Sequence, residues 1–243
     1  MSKASAPWFY RKGVFTISLP CGCNIDCVFC LRNKNPAGKD RLNGRSRIDF
    51  HKLDLILGCL KAKGLETVNI GGDEPTLAPR KILERVAGLC RARGFKKIEL
   101  ATNGIRLHDA VYAGWLRKIG INGFLLPIYG PRPEIHDGVT QKKGSFRLLM
   151  KAISNLRRFK DVEFTLHTVV IKQNQKHLPG LEKLVRKERF RFVVEKLRKR
   201  DNDDHIDYER LKPENSRVPG VKSKEKKRKS LVLRYNLQTG TFG

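Results

Sequence analysis

Short apolar runs alternate along this chain with segments whose apolar residues recur every three or four positions. The apolar runs predict six β-strands, over 14–19, 67–70, 97–101, 124–128, 162–171 and 190–194. The periodic segments predict the intervening helices, over 51–63, 79–90, 110–119, 145–156 and 178–185, with Ser145 as an N-cap. Strands that alternate with helices in this order predict a parallel sheet covered by helices.

The number of strand–helix units limits the architecture. A closed eightfold barrel takes about 250 residues, and only six units can be counted, so we expect a partial (β/α)6 barrel. In such a fold the functional residues gather at the carboxyl ends of the strands. We expect a lead-in over 1–12, a core domain over 13–200 and a charged, flexible tail over 201–243. The tail contains a basic run at 222–229.

Composition restricts the class of protein. The chain has 243 residues, of which 40% are hydrophobic and 31% charged, as in globular proteins. It has no run of 18 apolar residues that predicts a membrane-spanning helix. The first residues contain no apolar stretch typical of a secretion signal. We therefore expect a cytoplasmic location without a membrane partner. In that reducing compartment the six cysteines are candidates for metal ligands or core residues.

Positive charge dominates the chain. It has 51 Lys and Arg against 24 Asp and Glu, a net charge of +27 spread over its whole length. A surface of this sign attracts nucleic acid and other polyanions. A generally basic surface without a nucleic-acid partner explains the same composition, and the sequence leaves both interpretations open.

The most distinctive chemistry follows the first predicted strand, where Cys23, Cys27 and Cys30 lie close together in sequence. Thiolates suit iron–sulfur clusters, and three of them leave one of four irons without a protein ligand. Cys21 also permits a four-thiolate zinc site, although its C-x-C spacing is unusual for one. Cys59 and Cys90 are each expected to be buried in the hydrophobic core, on their predicted helices.

Four motifs in fixed order resemble the radical S-adenosylmethionine (radical SAM) superfamily over about residues 13–195. They are Cys23-x3-Cys27-x2-Cys30, the loop Gly71-Gly72-Asp73-Glu74-Pro75, the strand end Ala101-Thr102-Asn103-Gly104, and the stretch from Glu134 to Phe146. Asp73 departs from the Gly-Gly-Glu-Pro pattern of the family. Tyr129 lies near the place after the fourth strand where a serine is common.

The resemblance implies both a fold and a chemistry. The fold is a partial (β/α)6 barrel, in which Cys23, Cys27 and Cys30 hold a [4Fe-4S] cluster and SAM binds the fourth iron. One-electron reduction then cleaves SAM to methionine and a 5′-deoxyadenosyl radical that abstracts hydrogen from a substrate. A reductant such as ferredoxin or flavodoxin supplies the electron. The substrate is open, with RNA or protein among the candidates.

The resemblance also assigns cofactor contacts, each with a structural alternative. Phe29 would lie near the adenine or simply pack in the core, and the two glycines would approach the methionine part of SAM or form a tight turn. Glu74 would accept from the SAM ammonium or favour a nearby helix N-terminus. The full expected set is Phe29, Gly71, Gly72, Glu74, Pro75, Thr102 and Asn103. Asn174 is a weaker candidate.

Two other functions compete with this one. The first is a catalytically inactive iron–sulfur or zinc protein that binds nucleic acid through its basic surface. The second is an activating enzyme that acts on a large protein substrate. Metal content separates the first from a radical SAM enzyme, and a stoichiometric protein partner would indicate the second.

Overall fold

A computed structural model describes residues 14–30, 48–197, 206–214, 234–236 and 241–242. The expected lead-in over 1–12 and the basic run at 222–229 lie outside these residues. The helix and strand bounds below, and every statement of absence, refer to this part of the chain.

A parallel sheet forms the centre of the molecule. Its strands are β1 (Val14–Leu19), β2 (Thr67–Gly72), β3 (Lys97–Ala101), β4 (Gly123–Pro127), β5 (Glu163–Val170), β6 (Arg191–Lys196), β7 (Arg234–Asn236) and β8 (Thr241–Phe242). The strand order is β6-β5-β4-β3-β2-β1-β7-β8, and only β8 runs antiparallel to its neighbour. The first six strands follow one another in space as in sequence, and this confirms the predicted partial (β/α)6 barrel.

Helices connect the consecutive strands. They are α1 (Phe50–Ala62), α2 (Arg80–Ala92), α3 (Ala110–Lys118), α4 (Pro133–Thr140), α5 (Ser145–Leu156), α6 (Leu178–Lys187) and the single turn α7 (Tyr208–Leu211). Asp49 caps α1 by accepting from Lys52 N at 2.8 Å, and Asp109 caps α3 in the same way. None of these helices combines the length and the apolar character that crossing a membrane requires.

Side-chain alternation along the strands gives the sheet two different faces. On β1 and β2 the buried residues Phe15, Ile17 and Ile70 pack against the helices in the main core. The opposite face carries polar side chains, and on it Asn69 Nδ2 donates to Glu99 Oε1 at 2.9 Å. Successive strand residues point to opposite faces, so the barrel interior is partly polar while the helix-facing side is apolar.

Helix α4 and the start of α5 differ from the sequence prediction. Helix α4 was not predicted, because Gly138 and the charged residues around it hide its short apolar face. Ser145 is the first residue of α5 rather than its N-cap, since Gly144 precedes it with a φ of 83°. Asp137 supplies the cap from α4 by accepting from Phe146 N at 2.7 Å and from Gly144 N at 2.6 Å.

The described part of the expected flexible tail packs against the core. Tyr208 and Leu211 of α7 contact apolar residues at the carboxyl ends of the strands. Lys172 N donates to Leu211 O at 2.8 Å, and the Gln175 side chain exchanges two hydrogen bonds with Glu214. These bonds fix residues 206–214 beside the loop after β5, a pairing between distant segments that charge composition cannot reveal.

One cysteine expectation was wrong. Cys90 is fully buried on α2, as predicted, but Cys59 is exposed on α1. The buried stripe of α1 consists of Leu53, Leu57 and Leu60. Cys59 flanks this stripe on the solvent side, because neighbouring helical positions lie about 100° apart around the axis.

Gly72 is expected to tolerate alanine less well than a glycine in open space. Its φ is +114°, and an added Cβ would lie 2.8 Å from the backbone N and O of Leu19. Gly64 also has a positive φ, +82°, but a Cβ added there would have nothing within 4 Å. Gly64→Ala should cost about 1–2 kcal/mol of unfolding free energy from backbone strain alone. Gly72→Ala should cost about 2 kcal/mol more because the clash is with backbone.

Guanidinium unfolding of both variants measures this difference. Equal losses would show that β1 and β2 can separate at this point and would contradict the close approach. The comparison also bears on cofactor studies, because a Gly72 variant that loses SAM binding will have lost local structure as well.

Candidate functional site

Four loops meet at the carboxyl edge of the sheet. The loop after β1 carries the cysteine motif, and the loop after β2 carries the Gly-Gly-Asp-Glu-Pro motif. Thr102–Asn103 follow β3, and Tyr129 follows β4. Parallel strands place these ends on one side of the sheet. The motifs that are separate in sequence therefore lie next to one another in space.

Backbone and side-chain bonds join the loop after β2 to the cysteine loop. Gly22 N donates to Asp73 Oδ2 at 2.9 Å, and Glu74 N donates to Gly22 O at the same distance. Asp73 N donates to Leu19 O at 3.2 Å. The residue by which this chain departs from the family motif thus anchors the loop that leads to Cys23.

Glu74 lies at the centre of the site and is fully buried. Its Oε1 accepts from Thr102 Oγ1 at 2.6 Å and from the hydroxyl and backbone N of Thr76 at 2.6 and 3.1 Å. Its Oε2 accepts from Asn103 N at 2.6 Å. Burial raises the pKa of this carboxyl, and the hydrogen bonds oppose the rise. These bonds tie the loop after β2 to the end of β3, and direct contact of Glu74 with a cofactor stays a prediction.

The side chains of Thr102 and Asn103 differ in their hydrogen-bond partners. The Thr102 hydroxyl donates to Glu74 and accepts from Gly104 N at 3.1 Å, so both of its roles are used within the protein. Asn103 reaches the cysteine loop, where its Nδ2 donates to Asn24 Oδ1 at 2.6 Å and lies 3.7 Å from Cys23 Sγ. The structure thus brings Asn103, more than Thr102, to the cysteines.

Cys23, Cys27 and Cys30 share one apolar environment, here called the loop cluster. Its buried members are Ile25, Cys27, Phe29, Ile105, Tyr129, Val139, Val169, Ile171 and Leu197, with Cys23 and Cys30 packed against them. Burial raises the pKa of Cys23 to about 12 and that of Cys27 well above its usual value. Repulsion from Glu74 and from the Cys30 sulfur raises the pKa of Cys23 further, and repulsion from the Cys30 and Cys23 sulfurs does the same for the pKa of Cys27.

Cys21 faces a different part of the molecule. Its Sγ donates to Glu74 O at 3.0 Å, and it packs with the main core rather than with the loop cluster. This arrangement separates Cys21 from the other three cysteines. The sequence, with four closely spaced cysteines, could not show this separation.

Phe29 and Tyr129 form the aromatic part of the loop cluster. Their rings meet edge to face with centroids 5.3 Å apart, and both are buried. Burial raises the pKa of Tyr129 well above its usual value, and the nearby sulfurs of Cys27 and Cys30 raise it further. An adenine contact of Phe29 stays a prediction. The place of Tyr129 in the same buried cluster as Cys27 was not predicted, because only its position just after β4 pointed to this residue.

Asn174 and His136 serve the protein structure. Asn174 is fully buried, and its side chain bonds Ile171 N at 2.9 Å and Val169 O at 3.0 Å, which closes the turn after β5. His136 Nδ1 accepts from Tyr129 N at 3.2 Å, and burial lowers the pKa of His136 to about 4. His136 is therefore a neutral acceptor that holds the segment carrying Tyr129.

The donor set fits an iron–sulfur cluster. Among the described residues, no three His, Cys, Asp or Glu side chains converge tightly enough to hold a single metal ion. A [4Fe-4S] cluster sets a different requirement, because each thiolate binds a separate iron. Of the three neighbouring thiols, Cys27 is buried and the other two are partly buried. As anions they repel one another, and a cationic iron core stabilises them as thiolates. Cys23, Cys27 and Cys30 meet this condition.

Known proteins share this organisation. A family model described as the Radical SAM superfamily matches residues 17–185. A cysteine-type anaerobic sulfatase-maturating enzyme from Clostridium novyi (strain NT) is 29% identical over 186 residues, which cover 70% of this chain and 47% of that protein. A GTP 3′,8-cyclase from Mannheimia succiniciproducens is 27% identical over 62% of this chain and 42% of that protein. The chain thus spans about half the length of these curated relatives.

Solved structures share the fold. The structure described as native anSMEcpe with bound AdoMet has a TM-score of 0.59 and 20% identity, over 79% of this chain and 56% of that one. Coproporphyrinogen III oxidase from Escherichia coli, described as a radical SAM enzyme, has a TM-score of 0.54 and 15% identity, over 82% and 48% of the two chains. At these identities the likeness concerns the arrangement of strands and helices.

Proposed function

Because the chain belongs to the radical SAM superfamily, whose members use a [4Fe-4S] cluster and SAM, we propose that it is an enzyme that cleaves SAM reductively. Cys23, Cys27 and Cys30 hold the cluster. A cluster bound there would supply the single electron that reductive cleavage of SAM to methionine and a 5′-deoxyadenosyl radical requires. The observation that carries this proposal is the grouping of the three thiols in one apolar cluster at the carboxyl edge of the sheet.

The loops after β2 and β3 are the proposed SAM site. Gly71 and Gly72 offer a backbone edge without side chains to the methionine part, and Phe29 offers a ring to the adenine. Glu74 holds Thr102 and Asn103 in place through the bonds described above, so that its contribution to SAM binding is largely indirect. Pro75 starts the 3-10 turn Pro75–Leu77 that fixes the end of this loop.

An electron donor is the partner that radical SAM enzymes generally need. We assign this role to a small reductant such as ferredoxin or flavodoxin. We also propose a cytoplasmic location, because a reducing compartment keeps the three thiols available for iron.

Anaerobic reconstitution tests the proposal. The purified chain is loaded with iron and sulfide, and SAM is added with dithionite. We expect a brown protein with about four irons and matching acid-labile sulfide, the composition of one [4Fe-4S] cluster, and formation of 5′-deoxyadenosine. A colourless protein that retains zinc would contradict the proposal. An assembled cluster that never cleaves SAM would favour the inactive nucleic-acid-binding alternative.

A second proposal concerns the partner that the basic surface attracts. In the segments that lead from helices into strands (61–67, 91–97, 117–123, 157–163 and 186–191), there are fifteen Lys and Arg and four Asp and Glu. All four of those acids form ion pairs with cations of the same segments. The described loops at the carboxyl ends of the strands (20–30, 73–79, 102–109, 128–144 and 171–177) carry six of each sign.

We therefore propose that nucleic acid binds the amino-end face, which is formed by the segments that lead from helices into strands. The SAM reaction takes place at the opposite face, at the carboxyl ends of the strands. Binding of single-stranded RNA should weaken steeply with salt, because each neutralised phosphate contributes about −0.7 to the slope of log K against log salt. Replacing Arg186 and Lys187 by Glu should reduce the slope by roughly 1.4. The matched variant Lys142→Glu/Lys143→Glu at the other face should leave it unchanged. Equal effects of the two variants would mean a nonspecific charge effect.

A further inference from the structure

The cysteine loop comes to the protein surface beside the end of helix α4. Asp26 N donates to Thr140 O at 3.0 Å, and Val28 N donates to Val139 O at 3.0 Å. Cys27 lies between these two bonded residues and is buried, whereas Asp26 is exposed. The surface next to the end of α4 is therefore only one residue away from a proposed cluster ligand.

The segment that follows α4 carries positive charge only. Residues 141–156 contain four basic side chains and no acidic one. We call these four residues, Lys142, Lys143, Arg147 and Lys151, the α5 basic patch. All of them except Lys142 are exposed, and Lys142 is partly buried. None of the ion pairs between described residues includes a member of the patch, so no such pair neutralises its charge.

The α5 basic patch is fixed beside the cysteine loop. Lys142 N donates to Asp137 O at 3.3 Å, which holds the start of the patch against α4. Leu148 of α5 packs against the loop cluster, so the first turn of this helix lies next to the buried cysteine. Arg147 and Lys151 are four positions apart and consequently neighbours on the exposed side of α5.

Two acids lie near the patch without cancelling its charge. The carboxylate of Asp137 is directed at the amino end of α5, where it accepts from the N–H groups of Gly144 and Phe146 and from the Ser145 hydroxyl. Asp26, on the cysteine loop, adds one more negative charge. Four positive charges against these two leave an excess of positive charge next to the cysteine loop.

A reductant protein must bring its own redox centre close to the cluster, and redox partners typically meet through small, transient interfaces. In such encounters opposite charges raise the rate of association more than the final affinity. We propose that the α5 basic patch is the docking surface for the electron donor, a small acidic protein that delivers one electron at a time. The donor loses one electron there, and the cluster held by Cys23, Cys27 and Cys30 gains it. This inference rests on the proposed function.

The test is anaerobic stopped-flow reduction of the reconstituted protein by reduced flavodoxin, an acidic donor, at low and high ionic strength. For the wild type, we expect the second-order rate constant to fall as salt screens the charges. Lys142→Glu/Lys143→Glu should lower this constant at least about tenfold at low salt, because steering by charge contributes roughly 10- to 1000-fold. The same variant should depend less on salt. Reduced methyl viologen, a small cation that needs no docking surface, should reduce it as fast as the wild type or faster.

Arg186→Glu/Lys187→Glu is the matched control. Both residues are exposed, and the variant makes the same change in net charge at the amino-end face. Its rate with flavodoxin should stay within about threefold of the wild type, because distant exposed charges are largely screened. Equal losses in the two variants would show that only the net charge matters, and this would overturn the inference. A wild-type rate in the Lys142→Glu/Lys143→Glu protein would overturn it as well.

A second variant covers the case in which Lys142→Glu/Lys143→Glu fails to assemble a cluster. Arg147→Glu/Lys151→Glu changes only exposed positions of α5 and should slow reduction by flavodoxin to a similar extent. An unchanged rate would overturn the inference, and so would a wild-type protein that methyl viologen reduces and flavodoxin does not. A wild-type protein that assembles no iron–sulfur cluster would instead overturn the proposed function, so the two failures are distinguishable.

Discussion

Cys27→Ala is expected to lower the iron bound after anaerobic reconstitution by at least about tenfold, because a three-thiolate site loses one third of its ligands. Formation of 5′-deoxyadenosine should be lost with it. Cys27 is buried in the middle of the loop cluster, with Cys23 and Cys30 on either side in sequence. Iron and sulfide analysis together with the visible absorption spectrum measures the change.

Two other cysteines serve as matched controls. Cys59 is exposed on α1, so Cys59→Ala should leave iron content and stability unchanged. Cys21→Ala should also keep the cluster, because the Cys21 thiol is bound to Glu74 O and lies in the main core. If the Cys21 variant loses the cluster and the Cys23 variant keeps it, the ligand assignment is wrong.

Glu74→Gln should destabilise the fold by about 3 kcal/mol, although it changes a single atom. Oε1 and Oε2 each face a backbone N–H, from Thr76 and Asn103, respectively. A glutamine amide therefore sets its NH2 group against one of these donors in either orientation. A buried donor left without an acceptor costs about 1–3 kcal/mol, and the bond to a charged acceptor that is lost adds to this. Denaturant unfolding measures the loss.

Glu84→Gln is the control for this change. Glu84 is exposed on α2, so its replacement should alter the unfolding free energy by less than about 0.5 kcal/mol. A wild-type-like Glu74→Gln protein would show that the loops after β2 and β3 do not depend on this carboxylate. The proposed indirect role of Glu74 in SAM binding would then be wrong.

The sheet and the arrangement of the motifs were predictable from the sequence because both depend on local patterns. Alternating apolar runs and amphipathic helices fixed the order of the first six strands, and parallel strands then required Cys23, Glu74 and Asn103 to lie at one edge. The separation of Cys21 from the other cysteines was not predictable in this way. It depends on a thiol contact with a residue 53 positions later.

Hydrogen-bond partners that are far apart in the sequence could not be predicted, for the same reason. A Gly-Gly-Asp-Glu-Pro motif names Glu74 but cannot show that Thr76, Thr102 and Asn103 already occupy its oxygens. Helix α7 lies in a segment of high charge and weak periodicity, and its position depends on a hydrogen-bonded pair between Gln175 and Glu214. Composition predicts flexibility in such a segment and cannot reveal the tertiary contacts that residues 206–214 make.

Strand β7 pairs with the outer edge of β1, the first strand of the sheet, in the register Thr16↔Arg234. During synthesis that edge must wait for more than 200 residues before its partner is made. At about 5–20 residues per second the delay is about 10–40 s. During this delay the edge of β1 is open to pairing with strands of other chains. Its segment VFTISL contains no charge and no proline that would oppose such pairing. Expression level, temperature and the availability of chaperones should therefore decide how much of this protein escapes aggregation on the ribosome.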